Sequence, residues 1–518
     1  METGGWSYAR DLLGGSSVNP DRAYEELVRL SREETLLASC REILQWDAEI
    51  CMPRGGVKHR AEQMALVAGL VHDRATDPRY NELLGIVESS SLVIDPESPK
   101  AVNVRELRRD FDREIRLPRR LVEELARVSA LASQAWSDAR DGDDFATFAP
   151  WLDRTFELAR EKADAVGFVG ARYDALLDDY EPGMTTEQLS ALFAQLGAQL
   201  VPLVDSLRDN PATPRERKLE REFPLDRQRV FAEGVAVTLG FDLECGRFDL
   251  GPHPFCAFIG PGDVRIALRY NSRNFASGFL AVMHETGHAL YERGLDQAHY
   301  GTPMGEAVSL GIHESQSRLW ENLVGRSHGF WLHFYPQIRS VFDAALYDVS
   351  LDAFRGAIND VAPGLIRVQA DEVTYNLHIV IRFELERALL AGDLRATELP
   401  GAWSELYQRY LGVSPDSDRH GCLQDIHWSE GLIGYFPTYT LGNVYASQLF
   451  DAAERAAGPL EEAFAAGDFR SLRNWLGEHI HRHGRRYPAA ALIERATGNA
   501  PDPSTLIASL SHRYQRAG

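Results

Sequence analysis

The segment His284-Glu285-Thr286-Gly287-His288 constrains the fold of this chain more than any other feature of its sequence. On an α-helix, two residues four positions apart lie one above the other on the same face. Two neutral imidazoles in that arrangement can bind one Zn²⁺ ion, while the glutamate between them stays free to act on a water molecule. The sequence therefore predicts a helix here, with a metal site on one of its faces.

The residues around this segment favour a helix as well. Apolar side chains recur at helical spacing, and they are Phe275, Phe279, Val282, Met283 and Leu290. Gly294 stands where a helix end is expected. A glycine inside a helix costs about 1 kcal/mol relative to alanine. Gly287 therefore indicates that another part of the chain approaches the backbone closely at this point.

A catalytic zinc site needs a third protein ligand and one open position. The His-x-x-Gly-x-x-His extension of some zincins is absent after His288. Spacing favours Glu314, 26 residues after His288, and leaves Glu306 open as the alternative. A helix around Glu314 could pack close to the first helix through small residues on its face, which comprises Ala307, Leu310, Gly311 and Glu314.

Two other kinds of metal protein fit the sequence less well. A di-iron helix bundle uses two Glu-x-x-His motifs, and Glu285-x-x-His288 could pair with the segment Glu478-His479-Ile480-His481. That assignment leaves His284 unexplained, and residues 478–483 read as a polar, exposed helix end. A structural zinc site in a non-catalytic scaffold is normally closed by four protein ligands, whereas this chain offers three and a base.

Composition excludes several classes of function. The 518 residues are 44% hydrophobic and 25% charged, which is ordinary for a globular protein. The net charge of −21 argues against general nucleic-acid binding, which needs a basic face. No apolar run approaches the roughly 18 residues that span a bilayer, and the N-terminus lacks a signal-peptide core. The five cysteines are scattered, which predicts reduced thiols in a cytoplasmic protein.

Helical periodicity runs from about Ala23 to Leu207 and again from Phe275 to about Arg516. Breaks are expected at Pro118 and at Gly142-Asp143-Asp144, and the pair Thr185-x-x-Gln188 predicts a capping box. Polar loops are expected near residues 95–100 and 210–218. Residues 1–20 are predicted to be a loosely ordered segment, and residues 21–518 a single helical domain.

Strand-like alternation is found mainly between residues 242 and 270. Val264, Ile266, Leu268 and Tyr270 alternate with other residues after the turn Gly260-Pro261-Gly262. A strand shortly before the metal-binding helix suits a peptidase, because an edge strand can pair with an extended peptide. A small structural sheet is the alternative.

Five further motifs follow one another in a characteristic order. They are His253-Pro254-Phe255, Asp263-Val264-Arg265, His313-Glu314-Ser315-Gln316, Ile366-Arg367-Val368-Gln369-Ala370-Asp371 and Gly421-Cys422-Leu423-Gln424-Asp425-Ile426-His427-Trp428. Together with His-Glu-x-x-His, they resemble the signature set of the carboxypeptidase Taq family of metallocarboxypeptidases. The resemblance runs from about Tyr24 to Arg513 and includes Gln45-Trp46-Asp47 and Met52-Pro53.

The resemblance implies a mainly α, large helical zincin-like fold with a deep groove and a small β-sheet beside the metal-binding helix. This fold is similar to that of the angiotensin-converting-enzyme and neurolysin group. It also implies a homodimer that removes single C-terminal residues from peptides with broad specificity. The cofactor would be one Zn²⁺ per chain, with Co²⁺ possible. An endopeptidase or a dipeptidyl-peptidase on the same scaffold is the alternative.

Catalytic roles follow from the same resemblance. It implies that Glu314 completes the metal site with His284 and His288, and Glu285 is then the general base. Tyr435 resembles the tyrosine that stabilises the transition state in the converting-enzyme group, with Tyr439 as the alternative. His427 is expected to hydrogen-bond the substrate near the scissile bond.

A guanidinium can bind both oxygens of a free C-terminal carboxylate, and the match to the family's Ile-Arg-x-x-Ala-Asp motif implies that Arg367 does so. Arg265 is the alternative. Spacing alone also allows Arg367 to pair with Asp371 along one helix, and Asp371 could orient Arg367 or a ligand histidine. His253 is expected either near the groove or in a structural role. Ala267 stands where the family usually has threonine, and the lost hydroxyl could alter substrate positioning near the groove.

Overall fold

The computed structural model describes residues 19–208, 219 and 221–515. The predicted loose segment at residues 1–20 lies outside the described residues except for Asn19 and Pro20, and the predicted loop at 210–218 lies outside them entirely. Asn19 caps the first helix, since its side chain accepts a hydrogen bond from the Asp21 N–H at 2.9 Å.

Helices dominate the described residues. In chain order they are α1 Pro20–Ile50, α2 Val57–Ala75, α3 Pro78–Glu88, α4 Pro99–Arg116, α5 Arg119–Gly142, α6 Phe145–Val166, α7 Arg172–Leu177, α8 Thr186–Arg208, α9 Leu225–Leu239, α10 Phe275–Gly294, α11 Leu310–Arg318, α12 His328–Val341, α13 Asp343–Leu346, α14 Leu351–Ile358, α15 Thr374–Ala391, α16 Leu399–Leu411, α17 Pro437–Ala457, α18 Leu460–Ala465, α19 Arg470–His479, α20 Ala489–Thr497 and α21 Ser504–Gln515. A π-helical turn, Leu319–Val324, continues α11. Among these helices, none combines the length and apolar character needed to cross a membrane.

Local sequence signals set several helix boundaries as predicted. The Thr185 N–H donates to Gln188 Oε1 at 3.1 Å, and the Gln188 N–H donates to Thr185 Oγ1 at 3.2 Å, so the capping box is confirmed. Pro118 precedes α5. Asp143 ends that helix in the left-handed conformation, and Asp144 caps α6.

The sheet has three strands, β1 Gly246–Leu250, β2 Phe255–Gly260 and β3 Asp263–Leu268. Their spatial order is β1-β3-β2, with β1 parallel and β2 antiparallel to β3. The predicted strand is confirmed as β3, but it is the central strand. Its backbone groups are shared with β1 and β2, so the expectation that this strand offers a free edge to a peptide is wrong.

The two faces of β3 have different surroundings. Val264, Ile266 and Leu268 join the main hydrophobic core, against which α10 also packs. Ala267 lies on the opposite face, fully buried with Trp46 of α1 and Ala257. A threonine hydroxyl at this position would enter a packed contact with α1. The expected effect of Ala267 on substrate positioning near the groove is therefore not supported by its location.

The main core runs from α5 to α21 and includes the buried face of α10. Two smaller clusters lie among α1, α3 and α4 and between α1 and the sheet. The metal-binding helix is thus held by the core, with β2, β3, α9 and α11 in contact with it. The predicted mainly α fold with a small sheet beside this helix is confirmed. The single-domain organisation stays a prediction.

Candidate active site

Helices α10 and α11 approach each other at Gly287. A Cβ atom there would lie 2.5 Å from the carbonyl oxygen of Gln316 and 2.6 Å from the Cα of Ser317. The close backbone approach predicted from Gly287 is therefore confirmed. The small residues expected to permit it on the second helix do not do so, because Ala307 precedes α11 and Gly311 faces Glu181 instead.

The close contact brings three predicted ligand side chains together. The Nε2 atoms of His284 and His288 lie 3.5 and 3.6 Å from Oε2 of Glu314. One ligand atom from each residue falls within 4.8 Å of the others, and no second such group of His, Cys, Asp or Glu occurs among the described residues. Two imidazoles and one carboxylate are the donors of a catalytic zinc site with an open position, so these residues fit a metal ion.

Side chains outside the ligand set orient its members. His284 Nδ1 lies 2.9 Å from Glu321 Oε2. Arg318 donates from Nε to Glu314 Oε1 at 2.6 Å and from Nη1 to Glu321 Oε2 at 3.1 Å. Ser317 Oγ donates to Glu314 Oε2 at 3.0 Å. These contacts hold one oxygen of Glu314 on Arg318 and leave the other facing the two histidines.

Glu285 lies on α10 between the two histidines but is not in the ligand group. It is 6% exposed, and burial raises the pKa of its carboxyl to about 7. Burial also holds the pKa of His288 well below its usual value, so this imidazole is neutral and able to bind a metal. A carboxylate with a pKa near 7 can both accept and release a proton at neutral pH.

The alternative ligands lie elsewhere. Glu306 pairs with Arg485 at 3.2 Å and is absent from the ligand group. His481 Nε2 contacts Gln316 Oε1 at 2.9 Å, and His479 Nδ1 contacts the Trp475 carbonyl at 2.9 Å, so neither histidine joins Glu285 and His288 in a di-iron site. The expectation of a polar, exposed helix end at residues 478–483 is wrong at His481, which is 3% exposed.

Aromatic residues of a later loop and helix form a cluster near Glu314. The rings of Tyr435 and Tyr439 lie 5.4 Å apart, and Tyr439 OH is 3.1 Å from Nε2 of His427. Burial raises the pKa of Tyr435, and the charge of Glu314 adds to this effect. Burial, together with Arg367, lowers the pKa of His427 to about 3. Tyr435 is therefore a protonated donor and His427 a neutral imidazole at ordinary pH.

Arg367 is 6% exposed and lies among these rings. Its Nε and Nη2 donate to Asp425 Oδ1 at 2.9 and 2.8 Å, and Nη1 donates to Tyr375 OH at 3.2 Å. The alternative pairing with Asp371 is wrong. Asp371 instead accepts hydrogen bonds from the N–H groups of Val373 and Thr374, both at 2.9 Å, at the start of α15. It contacts neither Arg367 nor a ligand histidine.

Arg265 and His253 lie apart from this cluster. Arg265 pairs with Asp263 at 2.7 Å and stacks 5.8 Å above Trp46, on the sheet face turned away from α10. His253 has a side chain that is 60% exposed, and its Nε2 lies 3.0 Å from Glu49. Substrate binding by either residue stays a prediction without a supporting contact.

Sequence reasoning missed four residues that hold the site, namely Glu321, Arg318, Tyr375 and Asp425. A signal for two of them was present. Glu314, Arg318 and Glu321 are spaced four and three apart, which puts them on one helical face. The π-helical turn that follows α11 carries Glu321 toward His284.

A His-Glu-x-x-His helix, a glutamate on the next helix and a small sheet within a helical fold define a zincin-type metallopeptidase. Residues 26–514 match the family model described as carboxypeptidase Taq (M32) metallopeptidase. The chain belongs to this family, and the predicted metallocarboxypeptidase class is confirmed. A metal cofactor follows from the family and from the ligand group.

Relatives support the assignment over nearly the whole chain. Thermostable carboxypeptidase 1 of Thermus thermophilus is 49% identical over 506 residues, which are 96% of this chain and 99% of the relative. Carboxypeptidase 1 of Bacillus subtilis is 34% identical over 95% of this chain and 97% of its own length. The crystal structure of the M32 carboxypeptidase from Deinococcus radiodurans R1 superposes with a TM-score of 0.93 at 41% identity, covering 96% of this chain and 99% of that one.

Proposed function

We propose that this protein removes single C-terminal residues from peptides with broad specificity, using one Zn²⁺ ion per chain, with Co²⁺ as a possible substitute. The observation that carries the proposal is a continuous path from the ligand group to a buried guanidinium. Arg318, which binds Glu314, stacks 4.4 Å above the ring of Tyr375, and the hydroxyl of Tyr375 accepts a hydrogen bond from Arg367. A substrate carboxylate on Arg367 would lie close to the metal ligands, as cleavage of the last bond requires.

The proposed reaction uses the metal ligands, then Glu285 and then Tyr435. His284, His288 and Glu314 would hold a divalent metal ion, which would supply Lewis-acid chemistry by lowering the pKa of the attacking water toward about 7 and polarising the scissile carbonyl. Glu285 accepts a proton from the attacking water and passes it to the leaving amine. Tyr435, with Tyr439 as the alternative, donates a hydrogen bond to the oxyanion that develops.

Substrate is held by neighbouring groups. Neutral His427 binds the peptide near the scissile bond. Arg367 keeps Nε and Nη2 on Asp425 and Nη1 on Tyr375, and presents the second N–H of Nη1 and of Nη2 to the terminal carboxylate. The buried partner Asp425 fixes the guanidinium in place, so little side-chain entropy is lost when the substrate binds.

We further propose a single helical domain over residues 21–518, a homodimer and a cytoplasmic location. The match of residues 26–514 to one family model supports the single domain. Five cysteines without a disulfide are compatible with a reducing compartment. The homodimer rests on the family resemblance.

One experiment separates the proposed activity from its alternatives. The zinc-loaded protein is incubated with a peptide of mixed sequence and with the same peptide amidated at its C-terminus, and the products are measured by mass spectrometry. A ladder of single-residue losses from the free C-terminus supports the proposal. Internal cuts in both peptides would indicate an endopeptidase, and losses of two residues a dipeptidyl-peptidase. One metal ion per chain is expected, against two for a di-iron protein.

A further inference from the structure

Helix α15 carries a row of polar residues on one buried face. His378, Arg382 and Glu386 are four positions apart, so they lie one above another along the helix, and all three have no exposed surface. Burial of ionisable groups is costly unless each is paired. The three groups of this row are therefore expected to be paired with charged or hydrogen-bonding groups of neighbouring chain segments.

The carboxylate of Glu386 joins both ends of the loop that carries two predicted site residues. Its Oε1 accepts a hydrogen bond from Trp428 Nε1 at 2.8 Å, next to His427. Its Oε2 accepts from the N–H of Gly434 at 3.3 Å, next to Tyr435. Tyr173 OH on α7 donates to the same Oε2 at 2.6 Å and ties the carboxylate to the core.

The backbone conformation of this loop at Gly434 depends on contacts with other parts of the chain. Gly434 has a φ of 92°, which a residue with a side chain rarely adopts. A Cβ atom there would lie 3.0 Å from the backbone of Leu176 and Leu177. The backbone of Gly434 therefore packs directly against α7 in a conformation that favours glycine. Glu386 supplies the acceptor for the Gly434 N–H.

Arg382, one turn before Glu386, holds the beginning of the same segment. Its Nη2 lies 2.6 Å from Asp425 Oδ2, and the other oxygen of Asp425 binds Arg367. One helix face thus contacts the carboxylate partner of Arg367 as well as both ends of the loop that contains His427 and Tyr435.

We propose that Glu386 is a positioning residue that fixes Tyr435 and His427 for the reaction by holding Trp428 and Gly434. This inference rests on the proposed roles of those two residues. It assigns to Glu386 an effect on the chemical step, because Tyr435 acts on the oxyanion, and no effect on metal binding, because Glu386 contacts none of the ligands.

A double-mutant cycle tests the proposal on the intact zinc-loaded protein. The variants are Glu386→Gln, Tyr435→Phe and the combination of the two, and each is assayed for kcat, KM, metal content and Tm. Glu386→Gln keeps the size of the side chain, but an amide cannot accept hydrogen bonds from all three donors. We expect kcat to fall at least about tenfold with bound zinc unchanged, and the two substitutions to be strongly non-additive.

Glu372→Gln is the matched control. Glu372 is also a buried carboxylate, and its side chain accepts hydrogen bonds from Arg513 and Tyr514 of α21, both at 2.6 Å, rather than from the loop at 427–435. This variant is expected to lower Tm with kcat unchanged. If Glu386→Gln does not fold, Trp428→Phe, which removes the indole donor and leaves a smaller aromatic ring, takes its place in the cycle.

The outcomes separate the inference from the proposed function. Full activity of the Glu386 variant, or additive effects with Tyr435→Phe, would overturn the positioning role. An equal loss of kcat in Glu372→Gln would also overturn it, since any buried carboxylate would then do the same. A wild-type protein that releases no C-terminal residues would instead contradict the proposed function itself.

Discussion

The Nδ1 atom of His284 lies 2.9 Å from Oε2 of Glu321, a residue that follows the ligand helix on a π-helical turn. Glu321 is ionised at neutral pH. Burial alone would raise the pKa of its carboxyl, but Arg318 and His284 together lower it to about 2. An ionised carboxylate on Nδ1 fixes the imidazole tautomer whose Nε2 lone pair faces Glu314 and His288.

Replacement of Glu321 by glutamine should therefore weaken metal binding. Removal of such a partner typically lowers metal affinity by about 10- to 100-fold. Competition between the protein and a chelator measures the loss. Glu292→Gln is the control, because Glu292 pairs with His313 at 2.7 Å and not with a proposed ligand. Equal affinities for zinc in the wild type and Glu321→Gln would contradict the orienting role.

The contact between α10 and α11 leads to a prediction whose sign depends on two opposing effects. Gly287→Ala gains about 1 kcal/mol of helix propensity. The new Cβ atom, however, would lie 2.5 Å from the Gln316 oxygen, and overpacking of this kind costs about 1–3 kcal/mol. We expect a net loss of unfolding free energy and weaker metal binding, because α11 carries Glu314.

A second glycine in a helix provides the control for this measurement. A Cβ atom added at Gly234 in α9 would have no neighbouring atom within 4 Å. Gly234→Ala should therefore stabilise the protein by about 0.5–1 kcal/mol. Denaturant unfolding of both variants gives the comparison, and stabilisation of the protein by Gly287→Ala would show that the helices can separate without cost.

Gly287 and Gly311 show which close contacts could be predicted from the sequence and which could not. The glycine in the metal-binding helix predicted a close neighbour because its cost to the helix is local and can be read directly from the chain. The neighbour of Gly311 is Glu181, whose carboxylate accepts the Gly311 N–H at 3.0 Å from 130 residues away. No local rule names such a partner, so the expected role of Gly311 was wrong although its small size was correctly seen as important.

Arg367 shows the same limit. Sequence spacing offered Asp371 as its partner, whereas the structure pairs it with Asp425 across a separation of 58 residues. The helices and their caps follow from short-range patterns, and so do the two histidines of the ligand group. Spacing alone favoured Glu314 but left Glu306 open as the third ligand. The contacts that orient Arg367, His427 and Tyr435 come from chain segments far apart, and they depend on tertiary packing.

Glu285→Gln should retain the metal and lose turnover. The glutamine has the same shape and Glu285 is outside the ligand group, so metal content is expected to match that of the wild type. Loss of a general base typically lowers kcat by about 100- to 10,000-fold. Metal analysis and peptide hydrolysis on the same preparation test both halves, and retained activity would contradict the assignment of Glu285 as the base.

Glu386 predicts a dependence of stability on pH. Burial raises the pKa of its carboxyl from 4.5 to about 7 in the folded protein. Between these values the unfolded chain is ionised while the folded one stays protonated, so stability falls as the pH rises through this window, by up to about 3 kcal/mol. Below the window both states are protonated, and above it both are ionised.

Comparison with Glu386→Gln isolates this contribution, because the amide does not titrate. Denaturant unfolding of both proteins is measured from pH 4.5 to 8. The unfolding free energy of the wild type is expected to fall relative to that of the glutamine variant as the pH rises. A difference that stays constant with pH would mean that Glu386 titrates alike in the folded and unfolded states.

Arg367→Ala tests which guanidinium recognises the substrate terminus. Loss of a buried charged hydrogen-bonding partner costs at least about 2 kcal/mol, or roughly thirtyfold in kcat/KM. We expect that loss for peptides with a free carboxylate and a much smaller one for amidated peptides, whose residual cleavage does not use the charge. Asp425 keeps its contact with Arg382 at 2.6 Å, so its burial remains compensated in the variant.

Arg265→Ala is compared on the same peptides. The opposite outcome is that Arg265→Ala, and not Arg367→Ala, reduces the difference in kcat/KM between free and amidated peptides. Carboxylate recognition would then belong to Arg265 on the far face of the sheet. The path from Glu314 through Tyr375 to Arg367 would then not determine which bond is cleaved.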